Sequence, residues 1–383
     1  MRPFAGEFTL TPIEQVVSGA GSVAASLGHA LEQRGCHRPM VVTGQTLGAS
    51  PLLDEVTRAL APRDVHVFSG ARQHVPSRSV AALVDEIRRV RADSVVTFGG
   101  GSPIDTGKMA VHALLPPGER STGRAPCGLA HFAIPTTLSA GEFTSVAGIT
   151  DETTHIKHAV VDPRLAPRVV FTDPVLTLAT PNWLWAASGI RALDHAIESS
   201  YSSRHHPLSD ALATKAIRLL VEHLPASIHC TDPERVDHRA HCQLAAWLSV
   251  FGITNAGFGL SHAFGHQIGP RWNVPHGITS CIMLPHVMRF MADLVPERFA
   301  PIAEGFGIEL DRDNPRAAAM ACADRMAAFI AQFDLPQRLS AVDMPREHID
   351  DLAVVVHELL GHAHDRELAV TRGALAAVLE AAY

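Results

Sequence analysis

Several histidines and one arginine beyond residue 190 have the spacing of a binding or catalytic cluster. His262 and His266 are four residues apart, so a helix would place both imidazoles on one face. His276 follows shortly after them, and further upstream Arg191 and His195 show the same four-residue spacing. A lone histidine is more often a packed core or surface residue than a ligand. Several of them at helical spacing indicate a functional site that could bind a metal ion or polarise a substrate oxygen.

A glycine-rich segment in the first half, FGGGSPIDTGK at residues 98–108, has the composition of an anion-binding turn. The absence of Cβ atoms at Gly99, Gly100 and Gly101 lets a phosphate approach the backbone closely. Ser102 is predicted to cap the following helix, and Pro103 suits the first helical position. The exposed N–H groups and the positive end of the helix dipole would then face a phosphate or pyrophosphate. A tight strand–helix turn without a ligand is the alternative.

A second polar segment, IPTTLSAGE at residues 134–142, contains the neighbouring hydroxyl residues Thr136 and Thr137. It follows a predicted strand, and ligands of open parallel sheets bind beyond the strand ends. Taken alone, the segment fits a polar turn and a cofactor contact equally well.

Strands and helices alternate around these segments in the first half of the chain. Apolar runs predict strands at residues 39–43, 65–68, 94–98, 131–134 and 159–161. Amphipathic stretches predict helices at residues 53–61 and 80–91. This alternation predicts a doubly wound parallel sheet, because each crossover needs a helix that covers a face of the sheet.

The pattern changes beyond residue 174, where strand signals fade and long helical stretches dominate. Helices are predicted at residues 207–224, 233–251, 314–333 and 346–359. We therefore expect two domains, an α/β domain over residues 1–175 and an all-α domain over residues 176–383. Residues 115–123 are predicted to form a flexible polar loop.

The bulk composition excludes several classes of protein. The chain has 46% hydrophobic and 19% charged residues and a formal net charge of −7, which argues against a broad nucleic-acid-binding surface. No apolar run reaches the roughly 18 residues of a membrane span, and no secretory signal is visible. The six cysteines are scattered without a CxxC pair. This usage predicts reduced thiols in a cytoplasmic protein that does not bind a membrane.

Taken together, these motifs resemble the iron-containing alcohol dehydrogenase family over nearly the whole chain. The resemblance rests on the GGGSxxDxxK loop and on the His-x3-His-x9-His array formed by His262, His266 and His276. It implies an N-terminal Rossmann-like dinucleotide-binding domain, a helical C-terminal domain in a dehydroquinate synthase-like architecture, and a cleft between them. It also implies hydride transfer between NAD or NADP and a small carbonyl compound. The positions that match the family's cofactor contacts are Gly99, Gly100, Gly101, Ser102, Asp105, Thr136, Thr137 and Lys157.

The metal site that the resemblance implies is altered in this chain. The family holds a divalent metal with an aspartate, a histidine four residues later and two further histidines, which match Arg191, His195, His262 and His276. An arginine has no lone pair to give to a metal and would place a positive charge beside it. Asp194 is not expected to replace the lost carboxylate, because it would point about 100° away from His195 around the helix.

Two interpretations of this altered site remain open. Three histidines can hold zinc with an open fourth position, as a metal-dependent alcohol dehydrogenase would need. In the favoured interpretation no metal binds, and the Arg191 guanidinium stabilises charge on a substrate oxygen or binds a substrate carboxylate. This resembles the maleylacetate reductases, which lack the aspartate ligand and reduce a dicarboxylic oxo-enoate in the degradation of aromatic compounds. His266 or water would then supply the proton.

The choice of cofactor and the assembly are less constrained by the sequence. Residues 42–45, after the strand at 39–43, contain no acid that would repel a 2′-phosphate, so NAD and NADP are both expected. Lys157 fits a cofactor contact and an ordinary surface lysine equally well. The resemblance implies a homodimer. A nucleotide-binding protein that has lost catalysis is the remaining alternative, although the intact glycine loop and histidines count against it.

Overall fold

The computed structural model describes residues 7–115, 129–153, 156–231, 233–311, 313–362 and 370–383. These residues form two compact units, one over Leu10–Thr180 and one over Pro181–Tyr383 together with the residues before Leu10. The domain boundary predicted between residues 175 and 176 lies in the connection between the last strand and the first long helix. The loop predicted at residues 115–123 lies, beyond Leu115, outside the described residues.

The first unit alternates strands and helices. Its elements are β1 (Gln15–Ser18), α1 (Ser22–Glu32), β2 (Pro39–Gly44), α2 (Gln45–Gly48), α3 (Pro51–Ala59), β3 (His66–Ala71), α4 (Ser77–Val90), β4 (Ser94–Gly99), α5 (Gly101–Ala113), β5 (Ala130–Pro135), β6 (Val146–Asp151), β7 (Ile156–Val161) and β8 (Val169–Thr172). Six of the strands form one parallel sheet in the order β1-β8-β5-β4-β2-β3. Strands β6 and β7 pair antiparallel outside it. The apolar run at residues 159–161 is therefore a strand, but it does not extend the parallel sheet.

Both faces of the parallel sheet are covered by helices. Val41 and Val96 pack on one face with side chains of α1 and α3, whereas Met40 and Val95 pack on the other face with α4 and α5. Neighbouring residues of a strand thus pack into the hydrophobic cores on opposite faces of the sheet, as the two-residue repeat of a strand requires. Burial on both sides explains why these strands are continuous apolar runs. The predicted doubly wound parallel sheet is confirmed.

The second unit consists of helices in the part of it that the structure describes. They are α6 (Asn182–Tyr201), α7 (Pro207–His229), α8 (Glu234–Ala256), α9 (Leu260–Arg271), α10 (His276–Leu294), α11 (Ala300–Phe306), α12 (Pro315–Ile330), α13 (Ile349–His362) and α14 (Arg372–Ala382). The predicted helical second domain is confirmed. Among the described helices none alone has the length and hydropathy to cross a membrane, although α8 and α9, which meet at 102°, pass that test as a pair.

Helix α6 is buried on all sides from Trp185 to Tyr201. A helix enclosed in this way usually carries apolar residues around its whole circumference. In α6 the enclosed stretch instead includes Arg191, Asp194, His195 and Glu198. Burying four such side chains is costly unless they satisfy one another or a ligand, so α6 marks the polar centre of this unit.

Candidate functional site

The glycine turn between β4 and α5 leaves no room for larger residues. Gly99 has a φ of +144°, a conformation that L side chains rarely adopt. A Cβ atom on Gly100 would lie 3.0 Å from Cγ2 of Thr137, and one on Gly101 would lie 3.3 Å from Oγ of Ser139. The turn therefore keeps its backbone open to close approach by a ligand.

Helix α5 begins earlier than the sequence predicts. Its N-cap is Gly100, in extended conformation, and no side chain caps the helix. The capping role predicted for Ser102 is wrong, because Ser102 already lies in the first helical turn and Pro103 follows it there. The first N–H groups of a helix have no acceptor within it, and no acidic residue lies in this first turn. The uncapped, electropositive helix start suits the phosphates of a nucleotide.

Thr136 and Thr137, the hydroxyl residues after β5, lie against this turn. The N–H of Thr136 donates to the carbonyl oxygen of Gly99 at 3.0 Å. Both threonines are buried. Lys157 lies in β7 with its backbone opposite Thr150, but its side chain is outside the part of the chain that the structure describes. Its role in cofactor binding stays a prediction.

Lys108, the last residue of the GGGSxxDxxK loop, is a buried lysine on α5 for which the sequence predicted no role of its own. Nζ of Lys108 donates to the carbonyl oxygens of Gly141 at 2.5 Å, Thr144 at 2.8 Å and Val146 at 2.9 Å. It also contacts Oγ1 of Thr144 at 3.0 Å. Burial lowers the pKa of Lys108 to about 8. The ammonium group thus fastens the segment between β5 and β6 to α5.

Two carboxylates accompany Lys108. Oδ2 of Asp105 accepts a hydrogen bond from the N–H of Gly148 at 3.2 Å, which places Asp105 in the support of β6. Its predicted contact with a cofactor stays a prediction. Glu142 is 2% exposed, and burial raises its pKa to about 7. Asp105 adds to this increase of the pKa, whereas Lys108 opposes it.

In the second unit, α6 carries Arg191 and His195 on one face, as their spacing predicts. The Arg191 side chain is only 7% exposed. Its Nη1 lies 3.4 Å from Oδ2 of Asp194 and donates to Oγ of Ser280 at 3.0 Å. In the described part of the chain, the hydrogen bonds of this guanidinium all involve Nη1. Nη2 and Nε remain for another partner.

Asp194, which the sequence does not predict as a replacement for the lost carboxylate, nevertheless faces this cluster. Its Oδ2 accepts hydrogen bonds from Ser261 at 2.8 Å and Ser280 at 2.6 Å, and its Oδ1 lies 3.7 Å from Nδ1 of His262. Because α9 and α10 pack around α6, a side chain turned about 100° from His195 still faces the cluster. Burial raises the pKa of Asp194, and the guanidinium of Arg191 opposes this.

Glu198, which the sequence analysis missed, holds the start of α9. It accepts hydrogen bonds from the N–H groups of Gly259 at 2.9 Å and Ser261 at 2.6 Å. Its Oε2 lies 2.5 Å from Nδ1 of His262. A Cβ atom on residue 259 would lie 2.6 Å from Oε1, so this approach requires glycine. The signal in the sequence is the i, i+3, i+7 spacing of Arg191, Asp194 and Glu198 on one helix.

The four predicted histidines lie together around this polar centre. The ring centroids are 5.0 Å apart for His195 and His262, 6.2 Å for His262 and His266, and 5.1 Å for His266 and His276. Burial and the guanidinium of Arg191 lower the pKa of His195 and of His262 well below the usual range. Both rings are therefore neutral at physiological pH. Nδ1 of His195 and Nε2 of His262 have no hydrogen-bond partner among the described residues.

The side chains that are present do not fit the complete metal site implied by the resemblance. The guanidinium of Arg191 occupies the ligand position of the aspartate and offers no lone pair. Asp194, Glu198 and His262 do bring three possible ligand atoms within 4.8 Å of one another. However, Oε2 of Glu198 and Nδ1 of His262 are already hydrogen-bonded to each other, and Oδ2 of Asp194 accepts from Ser261. Only Oδ1 of Asp194 and Nε2 of His262 are without a hydrogen-bond partner among the described residues of this group. The cluster instead presents a fixed cation beside neutral imidazoles.

Comparison with known proteins places this geometry in a family. The model described as "Iron-containing alcohol dehydrogenase" matches residues 14–174, and "Fe-containing alcohol dehydrogenase family, C-terminal" matches residues 185–383. The NAD-dependent methanol dehydrogenase of Bacillus methanolicus is 31% identical over 346 residues, which cover 88% of this chain and 90% of that protein. The maleylacetate reductase of Pseudomonas sp. (strain P51) is 31% identical over 296 residues, covering 77% and 78%.

A solved structure indicates the same family as the sequence relatives. The crystal structure of maleylacetate reductase from Agrobacterium tumefaciens superposes with a TM-score of 0.80 at 25% identity, covering 100% of this chain and 99% of that one. The chain therefore belongs to the iron-containing alcohol dehydrogenase family and is an oxidoreductase of the dehydrogenase and reductase kind.

Proposed function

We propose that this protein reduces a dicarboxylic oxo-enoate of the maleylacetate type with NADH or NADPH and needs no metal ion. The observation that carries the proposal is the buried guanidinium of Arg191 beside the neutral rings of His195 and His262. A fixed cation among neutral groups attracts an anionic substrate and stabilises charge that develops on its oxygen. Maleylacetate reductases among the relatives support the substrate class, although alcohol dehydrogenases are equally similar.

The first unit supplies the residues that would hold the cofactor. The glycines of the turn leave the helix start of α5 open to a pyrophosphate, and Ser102, Thr136 and Thr137 provide hydroxyl groups there. Gly44 ends β2 and Gln45 follows it without an acid that would repel a 2′-phosphate. We therefore propose that both NADH and NADPH are accepted. The bound cofactor supplies the hydride.

The residues of the second unit would handle the charge and the proton. When hydride adds to the carbon–carbon double bond conjugated with the ketone, the electron pair moves to the ketone oxygen and forms an enolate. Nη2 and Nε of Arg191 bind this oxygen or a substrate carboxylate, since Nη1 is already engaged. His266 or water then delivers a proton to the neighbouring carbon, which restores the ketone.

The protonation of Glu198 decides what His262 can do in this scheme. Burial and the nearby Asp194 raise the pKa of Glu198 well above its usual range, which favours the protonated carboxyl group. A protonated Glu198 donates to Nδ1 of His262 and leaves the ring proton on Nε2. His262 then offers an N–H donor to the enolate oxygen instead of a lone pair to a metal.

A metal-dependent alcohol dehydrogenase is the second candidate. It is favoured by the survival of His195, His262 and His276 at the positions that match the family's ligands. In that case Glu198 would be ionised and Nε2 of His262 would bind the metal.

The deciding experiment is the oxidation of NADH and of NADPH with maleylacetate, measured before and after exhaustive chelation of the purified protein. Turnover that is unchanged by chelation supports the proposal. Turnover that chelation abolishes and a metal restores would establish the second candidate. Tight cofactor binding without turnover over a broad panel of carbonyl substrates would favour a nucleotide-binding protein without catalysis.

A further inference from the structure

Three histidines on α7 and α8 form a second cluster that the proposed reaction does not use. His223 lies on α7, and His238 and His241 lie on α8, fifteen or more residues later in the chain. Nδ1 of His223 and Nδ1 of His238 are 2.9 Å apart. The rings of His223 and His241 are stacked with their centroids 4.2 Å apart. Two helices thus bring three imidazoles to one place.

The contacts of Nδ1 in His241 and of Nε2 in His223 indicate which nitrogen of each ring keeps a lone pair for an ion. Nδ1 of His241 lies 2.8 Å from the carbonyl oxygen of Asp237, which can only accept, so Nδ1 carries the proton and Nε2 carries the lone pair. Nε2 of His223 lies 3.8 Å from a carboxylate oxygen of Glu222, which is beyond hydrogen-bond distance but whose negative charge favours the proton on Nε2. The lone pair of His223 is then on Nδ1, the atom that faces His238. Metal-binding histidines commonly donate their second nitrogen to a carbonyl or carboxylate, as His241 does to Asp237.

His223 and His241 differ in exposure, so one ligand of the site would be held in place by packing and another could move. The His223 side chain is 12% exposed, so its position is set by packing. Burial, together with the neighbouring His241, lowers the pKa of His223, which keeps it in the neutral form that binds metals. His241 is exposed, but it is stacked on His223 and its Nδ1 lies against Asp237, so joint binding of an ion requires its side chain to rotate and bring Nε2 toward the other two rings.

We propose that His223, His238 and His241 bind a divalent late transition metal ion such as Zn²⁺. The 2.9 Å separation of the two Nδ1 atoms is close to the ligand–ligand distance of about 3.3 Å that tetrahedral zinc with bonds of roughly 2.0–2.1 Å requires. Imidazole ligands suit zinc, copper and nickel. The ion would join α7 to α8 and so stabilise the second unit without any part in hydride transfer.

The test is calorimetric titration of the full chain with ZnCl₂ in parallel with three variants. His238→Gln and His241→Gln alter the proposed site, and His229→Gln is the matched control at an exposed position near the end of α7. We expect His238→Gln to bind one equivalent of Zn²⁺ fewer than the unchanged protein. His241→Gln should bind that equivalent at least tenfold more weakly, and His229→Gln should match the unchanged protein. Counting equivalents separates this site from any zinc bound near His262.

Thermal unfolding gives a second readout that is independent of catalysis. Excess Zn²⁺ should raise the Tm of the unchanged protein and of His229→Gln more than that of His238→Gln, because only the first two retain the ion between the helices. Equal Tm values of all variants in EDTA would show that the substitutions leave the fold intact. The proposal is overturned if His238→Gln binds as many equivalents as His229→Gln, or if the protein binds no zinc. Binding that depends on His238 but not on His241 would overturn the three-histidine site.

Discussion

Lys108 in the first unit and Arg191 in the second are both buried cations, but their surroundings differ. Nζ of Lys108 is enclosed by three carbonyl oxygens and a hydroxyl group. Arg191 bonds only through Nη1, to Asp194 and Ser280, among the residues that the structure describes. The first cation has used its hydrogen-bonding capacity on the protein, whereas the second keeps part of it for a ligand.

This difference separates a cation that supports the fold from one that can act on a substrate. The pKa of Lys108 is lowered to about 8, because neutral oxygens compensate poorly for the water that burial removes. An arginine stays charged at any pH that a protein survives. Substitution of Lys108 should therefore change stability, and substitution of Arg191 should change the rate.

The largest effect is expected for Arg191→Lys, which keeps the charge but removes the planar fork of N–H donors. We expect kcat/KM for maleylacetate to fall by about 10²–10³-fold, the usual result of losing an oxyanion donor. Steady-state kinetics with NADH would measure this, and Arg218→Lys on the exposed surface of α7 is the matched control. Wild-type kcat/KM in Arg191→Lys would contradict the role of the guanidinium. So would an Arg191→Asp variant that keeps the rate and binds no metal.

Lys108→Met is expected to lower the free energy of unfolding by an amount comparable to the loss of transition-state stabilisation in Arg191→Lys. The substitution removes the hydrogen bonds that Nζ donates to the carbonyl oxygens of Gly141, Thr144 and Val146. The free energy of unfolding should fall by about 2–4 kcal/mol, measured by urea denaturation. The control is Lys215→Met at an exposed position on α7, which should leave stability unchanged. If Lys108→Met unfolds like the control, the structural role of this lysine is refuted.

Substitutions of Glu198 test whether the site around Arg191 needs a protonated carboxyl group. Glu198→Ala should lower kcat/KM by about 10–100-fold, since the partner that orients His262 is lost. In the unchanged protein, rising pH removes the proton of Glu198 at its raised pKa, and Nε2 of His262 becomes an acceptor. Activity should therefore fall on the alkaline side of the pH profile.

Glu198→Gln sharpens this test, because its amide nitrogen donates to His262 at every pH, although it cannot accept the N–H of Gly259 as Oε2 does in the unchanged protein. The variant should keep most of the rate and lose the alkaline decrease that belongs to Glu198. A rate as low as that of Glu198→Ala, with metal dependence, would instead indicate an ionised Glu198 and a metal-bound His262.

The smallest effect is expected at the glycine turn of the first unit. In Gly100→Ala the new Cβ would lie 3.0 Å from Cγ2 of Thr137, so the turn must shift by a few tenths of an ångström. We expect the KM for NADH to rise about tenfold with a smaller change in kcat. Gly373→Ala is the matched control, because a Cβ there meets nothing within 4 Å. Equal KM values in the two variants would argue against phosphate binding at this turn.

Local patterns in the sequence predicted much of the fold. The runs at 39–43 and 94–98 were found because strands covered on both faces are continuously apolar, and they match β2 and β4 to within one residue. Strand β1 was missed because it contributes only two apolar residues, whereas β8 was missed although its VVFT run is as apolar as the strands that were predicted. The start of α5 was misplaced because a serine is a common N-cap, whereas here the close approach of Thr137 to Gly100 fixes the turn.

The candidate site was predictable only where its residues are close in sequence. Four-residue spacing revealed Arg191 with His195 and His262 with His266. The partners of Asp194 are Ser261 and Ser280, which are 67 and 86 residues away and carry no local signal. Helical geometry correctly placed Asp194 about 100° from His195 around α6. It could not show that α9 and α10 pack against that side of the helix.

The contact between Glu198 and the start of α9 limits how this site can evolve. A side chain from α6 receives the N–H groups of Gly259 and Ser261, so it sets the position of the helix that carries His262 and His266. Any larger residue at position 259 would meet the carboxylate of Glu198, which must then move from the N–H groups it receives and from Nδ1 of His262. Viable substitutions at positions 198 and 259 should therefore arise as pairs, and their single-step intermediates should be the least fit members of the lineage.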